Sequence, residues 1–343
     1  MTSQKPRRSA RGALLGAALA GAMLLTGPVF AQDATPMPYT PGTELGELSG
    51  SIAMDGSSTV GPIAEAVAED FNAEAGDVAI SVDISGTGGG FERFCNGETD
   101  LQNASRDIKE DEAALCAEAG VEFYRFEVAY DGLSVVVNPS NDFVTCITTE
   151  ELAAMWGADS TADSWNDINA DWPDQPLTLY GPGTDSGTYD YFVEEIIGDA
   201  GSRSDFTPSE DDNVLVEGVA GDENALAFFG YAYYEQNQDR LKLLEVDSGS
   251  GCVAPSPETV QNLTYTPLSR PLYVFVKAES LTRPEVQEFA RFMLANAATL
   301  APEVGYVASP NQVYVDDQTK LEAAIAGTGT PDSSVSAHAT PTA

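Results

Sequence analysis

Short apolar segments that predict strands alternate with amphipathic segments that predict helices, and this alternation restricts the fold more than any other feature. The predicted strands are 50–54, 78–84, 121–128, 133–138, 177–180 and 272–277. The predicted helices are 61–74, 91–96, 109–119, 149–156, 187–197, 222–232, 283–297 and 318–324. Strands and helices in alternation favour helices packed on a largely parallel sheet. We therefore expect an α/β protein, and the sequence shows no internal repeat.

The two ends of the chain differ from this central part. Residues 1–31 combine a basic start, a short apolar run and a small-residue site at Ala31, which is typical of a cleaved secretory signal. The apolar run is too short for a membrane span. We therefore expect a periplasmic protein that begins near Gln32. Residues 32–47 predict a disordered linker rich in proline and threonine, and residues 327–343 predict a disordered low-complexity tail.

The expected mature chain is strongly acidic. All 54 Asp and Glu follow Ala31, whereas four of the 16 Lys and Arg precede it, so residues 32–343 carry 12 cations and a formal charge of −42. A field of this sign repels nucleic acids and anionic membranes, so we expect neither as a partner. A ligand that is itself an anion needs a local source of attraction in such a chain.

The four cysteines, Cys95, Cys116, Cys146 and Cys252, suit an oxidising compartment. Three pairings are possible, and 95–116 with 146–252 is the most local of them. Zinc binding is the alternative, but the spacings do not match zinc sites and the single histidine, His338, lies in the predicted tail. We therefore expect two disulfides, no metal and no cofactor.

Three loops of similar composition precede predicted helices, where the ends of parallel strands place ligands in open α/β sheets. Loop 1 is MDGSSTVGP (54–62), loop 2 is DISGTGGGF (83–91), and loop 3 is GPGTDSGTYDYF (181–192). A fourth loop, QNASRDIKEDE (102–112), adds Ser105 and Arg106. A helix N-terminus presents unpaired N–H groups and a partial positive charge, and serine and threonine hydroxyls add donors. Together the loops predict a site for a small dehydrated oxyanion.

Other interpretations of these loops do not fit the sequence. Loop 2 lacks the glycine that completes G-x-G-x-x-G, and no G-K-[ST] occurs, so nucleotide-binding fingerprints are absent. Ser186 does not lie in G-x-S-x-G, and no histidine outside the tail is present to act as its base. Adjacent carboxylates such as Glu194 and Glu195 are interpreted as solvated surface in so acidic a chain.

Seven runs of the chain closely resemble the periplasmic phosphate-binding proteins of ABC transporters. They are DGSSTVGPIAEAVAEDF, SGTGGGFERFCNGETD, ASRDIK, VAYDGLSVVVNP, LYGPGTDSGTYDYF, SEDDNVLVEGVAGDENALAFFGYAYY and PLSRPLYVFV. The resemblance implies a two-lobed periplasmic-binding-protein fold of type II. Each lobe would be a mostly parallel sheet flanked by helices, and two hinge crossovers near 129–132 and 267–271 would join the lobes. Lobe 1 would then comprise 48–130 plus 268–326, and lobe 2 would comprise 131–267.

The resemblance also implies which residues bind phosphate. By motif they are Ser58 and Thr59 in loop 1, Thr87 in loop 2, and Ser186, Gly187 and Thr188 in loop 3. Two positions depart from the better-known members, which have an aspartate at the position of Arg106 and an arginine at that of Pro182. We therefore expect Arg106 to be the charged anchor, with a surface ion pair as the alternative role.

The missing aspartate bears on selectivity, because phosphate keeps a proton near neutral pH and sulfate does not. A carboxylate that accepts this proton favours phosphate and repels sulfate. The candidates are Asp185, Asp131 and Asp55, each with a structural role in a turn or cap as the alternative.

The sequence thus predicts a monomeric periplasmic receptor that binds inorganic phosphate and delivers it to the permease of an ABC transporter, without covalent chemistry. Three alternatives remain open at this stage. The same scaffold could bind sulfate, molybdate or arsenate; Ser186 or Thr188 could be the nucleophile of a secreted phosphatase-like enzyme; or the fold could serve only signalling or adhesion.

Overall fold

The computed structural model describes residues 35–184 and 186–332. The predicted signal sequence 1–31, Asp185, His338 and most of the predicted tail therefore lie outside the described residues. Within the described ranges, no helix combines the length and apolar character that a membrane crossing requires.

Twelve strands and eleven α-helices alternate along the described residues. The strands are β1 Gly50–Gly56, β2 Val78–Ile84, β3 Leu101–Ala104, β4 Phe123–Val137, β5 Cys146–Thr148, β6 Thr178–Pro182, β7 Thr207–Ser209, β8 Ala225–Gly230, β9 Lys242–Leu243, β10 Glu245–Asp247, β11 Cys252–Val253 and β12 Ser269–Lys277. The helices are α1 Gly61–Glu74, α2 Gly86–Cys95, α3 Glu110–Ala119, α4 Thr149–Trp156, α5 Trp165–Ile168, α6 Gly187–Phe192, α7 Asp212–Gly221, α8 Tyr231–Gln236, α9 Pro257–Gln261, α10 Pro284–Glu303 and α11 Asn311–Ile325. A π-helical turn, Val193–Ile197, continues α6.

The 15-residue strand β4 organises the main sheet, whose strand order is β2-β1-β3-β12-β4-β8-β6-β7, with β9 also pairing with β4. Its residues 123–132 pair with β12, and its residues 133–137 pair with β8. We call β1, β2, β3, β12 and residues 123–132 half-sheet 1, and residues 133–137 with β6, β7, β8 and β9 half-sheet 2. Strands β1, β2 and β3 are parallel in the first, as are β6, β7 and β8 in the second. This architecture confirms the α/β class.

The chain passes between the half-sheets on β4 and returns at the start of β12. The two passages are neighbours, since Gly132 pairs with Ser269 and Asp131 pairs with Arg270. They lie where the sequence placed the two crossovers. The lobe boundaries themselves stay a prediction.

Each half-sheet is covered by apolar side chains on both faces. In half-sheet 1, α1 and α10 pack on one face around Phe71 and Phe289, and α2 and α3 cover the other around Phe91 and Phe275. In half-sheet 2, Trp156, Phe192 and Phe228 form the larger cluster. Burial on both faces explains why β8 and the central part of β12 are continuous apolar runs.

The predicted helix at 222–232 is wrong. Residues Ala225–Gly230 form β8, and α7 precedes them. All six residues of β8 are buried, with Leu226 and Phe228 in one cluster and Ala227 and Phe229 in another. A strand covered on both faces lacks the alternation that separates strands from helices in a sequence.

Both expected disulfides are present, which confirms the local pairing. Cys95–Cys116 joins the end of α2 to α3, and Cys146–Cys252 joins β5 to β11. The second bond links the two outer strands of a small three-stranded sheet, in which β10 lies between β11 and β5.

The segment before β1 packs on the helices of half-sheet 1, in contrast to the disordered linker predicted for 32–47. The Tyr39 ring lies 5.2 Å from that of Phe292, and its hydroxyl donates to Glu288 at 3.1 Å. Leu45 is buried as well. The segment is polar in composition, but its few apolar side chains find a groove between α10 and α11.

The described part of the predicted tail, residues 327–332, is also held against the domain. The Asp332 amide donates to the Phe123 carbonyl at 2.8 Å, and the Asp332 carboxylate accepts from Lys320 at 2.6 Å. No local sequence pattern indicated these contacts, because each depends on a partner that is distant along the chain.

A half-buried carboxyl on α11 predicts how stability depends on pH. Asp317 accepts a hydrogen bond from the Glu127 amide (2.8 Å), and burial raises its pKa from 3.8 to about 7. The folded protein therefore binds an extra proton between these values, so this contribution to stability is full below pH 4 and disappears as the pH rises through 7. We expect the free energy of unfolding to fall by about 1 kcal/mol or more between pH 5 and pH 8, measured by urea denaturation.

Asp317→Asn should flatten this dependence, since the amide does not titrate. The exposed neighbour Asp316, which accepts from Gln312, supplies the matched control Asp316→Asn. Asp212, whose pKa burial raises to about 7, adds a slope of the same sign that both variants keep. Equal slopes in both variants would contradict the assignment to Asp317.

Candidate anion-binding site

A cleft of about 660 Å³ opens where loops 1, 2 and 3 meet the start of β12. Its walls come from both half-sheets: loops 1 and 2 follow β1 and β2, and loop 3 follows β6. This is the edge at which parallel strands end and helices begin, as expected for a ligand site in an α/β sheet.

Two backbone amides of loop 1 donate hydrogen bonds that fix the conformation of the loop beside the cleft. The Ser57 amide donates to the Asn103 carbonyl (2.9 Å), and the Ser57 hydroxyl accepts from the Thr59 amide (3.2 Å). No side chain caps α1, which follows directly. Ser58 and Thr59 line the cleft, and the Ser58 hydroxyl makes no hydrogen bond to residues 35–184 or 186–332. It is free to donate to a ligand.

Loop 2 brings an uncapped helix end to the cleft. The helix α2 begins at Gly86, where φ is +76°, a conformation that favours glycine. Ser85 precedes it but donates its hydroxyl to Asp55 (2.8 Å) instead of capping the helix. Gly86, Thr87 and Gly88 line the cleft. The first amides of α2, which have no partner within the helix, are therefore available to an anion.

Loop 3 touches loop 1 across the cleft. The Thr59 hydroxyl donates to the Gly187 carbonyl at 3.4 Å, and a Cβ atom at Gly187 would lie only 2.7 Å from the Thr59 amide nitrogen. Ser186 caps α6 by accepting from the Thr188 amide at 3.2 Å. Of the three loop 3 residues expected to bind phosphate, Gly187 lines the cleft, whereas Ser186 and Thr188 do not.

Arg106 lines the cleft but already has a carboxylate partner. Its two terminal nitrogens donate to the two oxygens of Glu112, both at 2.8 Å, and its side chain is 30% exposed. These hydrogen bonds raise the pKa of Arg106 above its ordinary value. The structure shows the ion pair expected as the alternative role, and the guanidinium also lines the cleft; the role of charged anchor stays a prediction.

The sequence analysis missed Arg270, a largely buried residue that lines the cleft. Its Nη2 donates to the Thr59 hydroxyl at 2.9 Å, its Nε lies 3.3 Å from an Asp131 carboxylate oxygen, and its guanidinium stacks 3.5 Å above the Tyr191 ring. Only 15% of the side chain is exposed. The available signal was an arginine within a predicted crossover, PLSRPL, in a mature chain with only 12 cations.

The two candidate proton acceptors among the described residues, Asp55 and Asp131, do not line the cleft. Asp55 is fully buried and bonded to the Gly56 amide, Ser85 and Arg93. Asp131 lies behind Arg270, where burial raises its pKa and the guanidinium opposes that rise. Its second oxygen has no hydrogen-bond partner among the described side chains and backbone. Asp185 lies outside the described residues.

Four other carboxylates do line the cleft: Asp107, Asp190, Glu194 and Glu195. Burial raises the pKa of Asp190, and burial together with the charge of Glu194 raises that of Glu195. Glu194 and Glu195 are both exposed, in agreement with the solvated surface that the sequence indicated, although both also line the cleft. Glu194 follows Tyr191 by three residues and Asp190 by four, and Glu195 follows Tyr191 by four. This spacing places side chains on one face of a helix and was the signal that could have grouped these residues.

A family model described as a PBP superfamily domain matches residues 41–297, which include every loop of the cleft. The chain belongs to the PBP superfamily. It is 47% identical over 266 residues to protein SphX of Synechococcus elongatus, covering 77% of this chain and 79% of SphX. It is 39% identical to the phosphate-binding protein PstS of Staphylococcus saprophyticus, covering 81% and 86% of the two chains.

A solved structure described as a possible phosphate binding protein from Planctomyces limnophilus superposes with a TM-score of 0.78. It is 46% identical and covers 81% of this chain and 99% of that one. These likenesses confirm the periplasmic-binding-protein fold of type II and the resemblance to phosphate-binding proteins that the sequence motifs indicated.

Proposed function

We propose that this PBP superfamily protein binds inorganic phosphate in the cleft and delivers it to an ABC-type importer. The observation that carries the proposal is Arg270: a largely buried guanidinium that touches loop 1, stacks on Tyr191 and faces the uncapped start of α2. In a chain of this negative charge, it supplies the local attraction that an anion needs. The names of SphX and PstS relatives support phosphate as that anion.

The surrounding donors suit a small tetrahedral anion. The Ser58 hydroxyl is unpaired within the described chain, Thr87 lines the cleft from the same half-sheet, and the first amides of α2 lie beside Thr87. Hydrogen bonds to charged groups each contribute roughly 1.5–3 kcal/mol, so a few of them reach the ~8 kcal/mol of micromolar binding. Arg106 adds a second positive charge at the wall, weakened by Glu112.

We assign the acceptor of the phosphate proton to the acidic wall of the cleft, with Asp190 as the first candidate. Asp190 lies within electrostatic range of Arg270, which lowers its pKa while burial raises it. A carboxylate beside the anchor accepts a hydrogen bond from protonated phosphate and repels sulfate, which has no proton to donate.

Calorimetry with purified protein tests this function. We expect 1:1 binding of phosphate that survives a large excess of sulfate. Equal competition by sulfate would instead select the broader oxyanion receptor. Asp190→Asn should reduce the ratio of the affinity for phosphate to that for sulfate. An unchanged ratio would show that Asp190 is not the proton acceptor.

The enzyme alternative finds less support. The Ser186 hydroxyl is engaged as the cap of α6, and the described residues contain no histidine to act as its base. Release of inorganic phosphate from a phosphate ester by the pure protein would establish it. We further propose a periplasmic location, a monomeric state and closure of two lobes on the ligand as the signal to the permease.

A further inference from the structure

Ser105 lines the cleft, although the family motifs assign it no role. It follows β3, the strand that lies between β1, which leads into loop 1, and β12, which carries Arg270. At the carboxyl end of β3, Asn103 pairs with Gly56 of loop 1. Only 8% of Ser105 is exposed. The residue is therefore nearly buried in the wall of the cleft, between loop 1 and the strand of Arg270.

Three hydrogen bonds fasten Thr87 of loop 2 to the end of β3. Gln102 Nε2 donates to the Thr87 carbonyl at 2.9 Å, and the Ser105 amide donates to the Thr87 hydroxyl oxygen at 3.2 Å. The hydroxyl oxygens of Thr87 and Ser105 lie 3.1 Å apart, so that one of them donates to the other. Among residues 35–184 and 186–332, neither hydroxyl has a further hydrogen-bond partner. We call these two hydroxyl groups the hydroxyl pair.

The hydroxyl pair offers a ligand both a donor and an acceptor. Each hydroxyl has one hydrogen and two lone pairs. The bond between Thr87 and Ser105 uses one hydrogen and one lone pair, and the Ser105 amide uses a second lone pair. One hydrogen and two lone pairs remain. When Ser105 donates to Thr87, the free hydrogen belongs to Thr87 and the free lone pairs belong to Ser105.

This combination suits an anion that carries a proton. The guanidinium of Arg270 and the first amides of α2 can only donate, so they bind phosphate and sulfate in the same manner. A protonated phosphate oxygen can donate to Ser105 while a charged oxygen accepts from Thr87. Sulfate has no proton, so it leaves the Ser105 lone pairs without a donor or breaks the bond within the pair. A site that hydrogen-bonds a ligand OH rejects analogues that lack the group.

We propose that Ser105 is a further phosphate-binding residue and a determinant of specificity for phosphate over sulfate. Its hydroxyl oxygen accepts a hydrogen bond from a protonated oxygen of the ligand, and its own hydrogen keeps Thr87 as a donor. The inference rests on the proposed function, because it concerns the same site. It does not exclude Asp190 as an acceptor, since the singly charged form of phosphate is protonated on two of its oxygens.

Calorimetry with phosphate and sulfate tests the role of Ser105 on the chain from residue 32. Sulfate affinities come from the displacement of phosphate, at sulfate concentrations high enough to displace it from every variant. Ser105→Ala should lower the affinity for phosphate about tenfold, because it removes a hydrogen bond to a charged ligand and a support of Thr87. The affinity for sulfate should change less than about twofold, so the ratio of the two affinities should fall at least about fivefold.

Two further variants separate acceptance from other effects. Ser105→Cys nearly keeps the volume of the side chain but replaces the hydroxyl with a thiol, a weak donor and acceptor, and should resemble Ser105→Ala. It decides the question if the alanine variant fails to fold, as urea denaturation would show. The matched control is Ser58→Ala. The Ser58 hydroxyl lines the cleft without a partner among the described residues, so it can donate to either anion, and its loss should weaken both alike.

The possible results distinguish this inference from the proposed function. Equal losses for phosphate and sulfate in the Ser105 variants would show that Ser105 only supports Thr87 and would overturn its role in specificity. Unchanged phosphate affinity would show that Ser105 does not bind the ligand. Equal affinity of the parent protein for both anions would also overturn the inference while leaving an oxyanion receptor. Absence of phosphate binding by the parent protein would overturn the proposed function as well.

Discussion

Arg270→Ala is expected to lower the affinity for phosphate by about 100-fold. The change removes a largely buried guanidinium that can donate to the anion, and charged hydrogen bonds of this kind contribute roughly 1.5–3 kcal/mol each. Isothermal calorimetry at fixed ionic strength measures the change. Arg240→Ala, which removes an exposed arginine paired with Glu217, is the matched control and should bind phosphate as the parent does.

The same substitution is expected to destabilise the protein by about 3 kcal/mol, because it leaves the carboxylate of Asp131 buried without its partner. The double variant Arg270→Ala/Asp131→Asn should recover most of this stability and none of the affinity. Urea denaturation and calorimetry on the same samples separate the two effects. Recovery of binding in the double variant would show that Arg270 acts only through folding.

Gly187→Ala should reduce phosphate affinity at least about 30-fold with little loss of stability. The new methyl would lie 2.7 Å from both the amide nitrogen and the hydroxyl oxygen of Thr59, and the backbone of loop 1 has no rotamer by which to move away. Loops 1 and 3 would be forced apart, so donors on the two walls could no longer reach one anion.

The control for this variant is Gly221→Ala at the end of α7, where an added Cβ meets no atom within 4 Å. It should leave affinity unchanged. If Gly187→Ala also retained full affinity, the contact between Thr59 and Gly187 would not belong to the state that binds phosphate.

The strands and helices that the sequence predicted well are those with one strongly patterned face. Helices α1 and α4 begin and end where predicted, since each has an apolar stripe and a clear start: Pro62 in the first turn of α1, and Thr148 capping α4. Strand β8 was mistaken for a helix, because burial on both faces erases periodicity.

The residues of the site also divide into those that local sequence patterns indicated and those that such patterns missed. Loops 1, 2 and 3 are local motifs, so composition pointed to the loops, and the family resemblance implied Thr59, Thr87 and Gly187 within them, all of which line the cleft. Arg270 is far along the chain from all three and reaches the cleft only because β12 pairs with β4. No local pattern encodes that approach. Nor could spacing show that Asp131 would be covered by Arg270 rather than face the ligand.

Arg270 lies opposite Asp131 on the two strands that carry the chain between the half-sheets. This position predicts the order in which the contacts to phosphate would break during release. Atoms near a hinge move least when the two half-sheets rotate about it. The guanidinium would therefore stay in contact with phosphate during opening, while the hydrogen-bond donors of loops 1 and 3 would move away first. Release of phosphate would then begin at the contacts with loops 1 and 3 and end at Arg270. The interaction with the guanidinium would be the last that the transporter has to break.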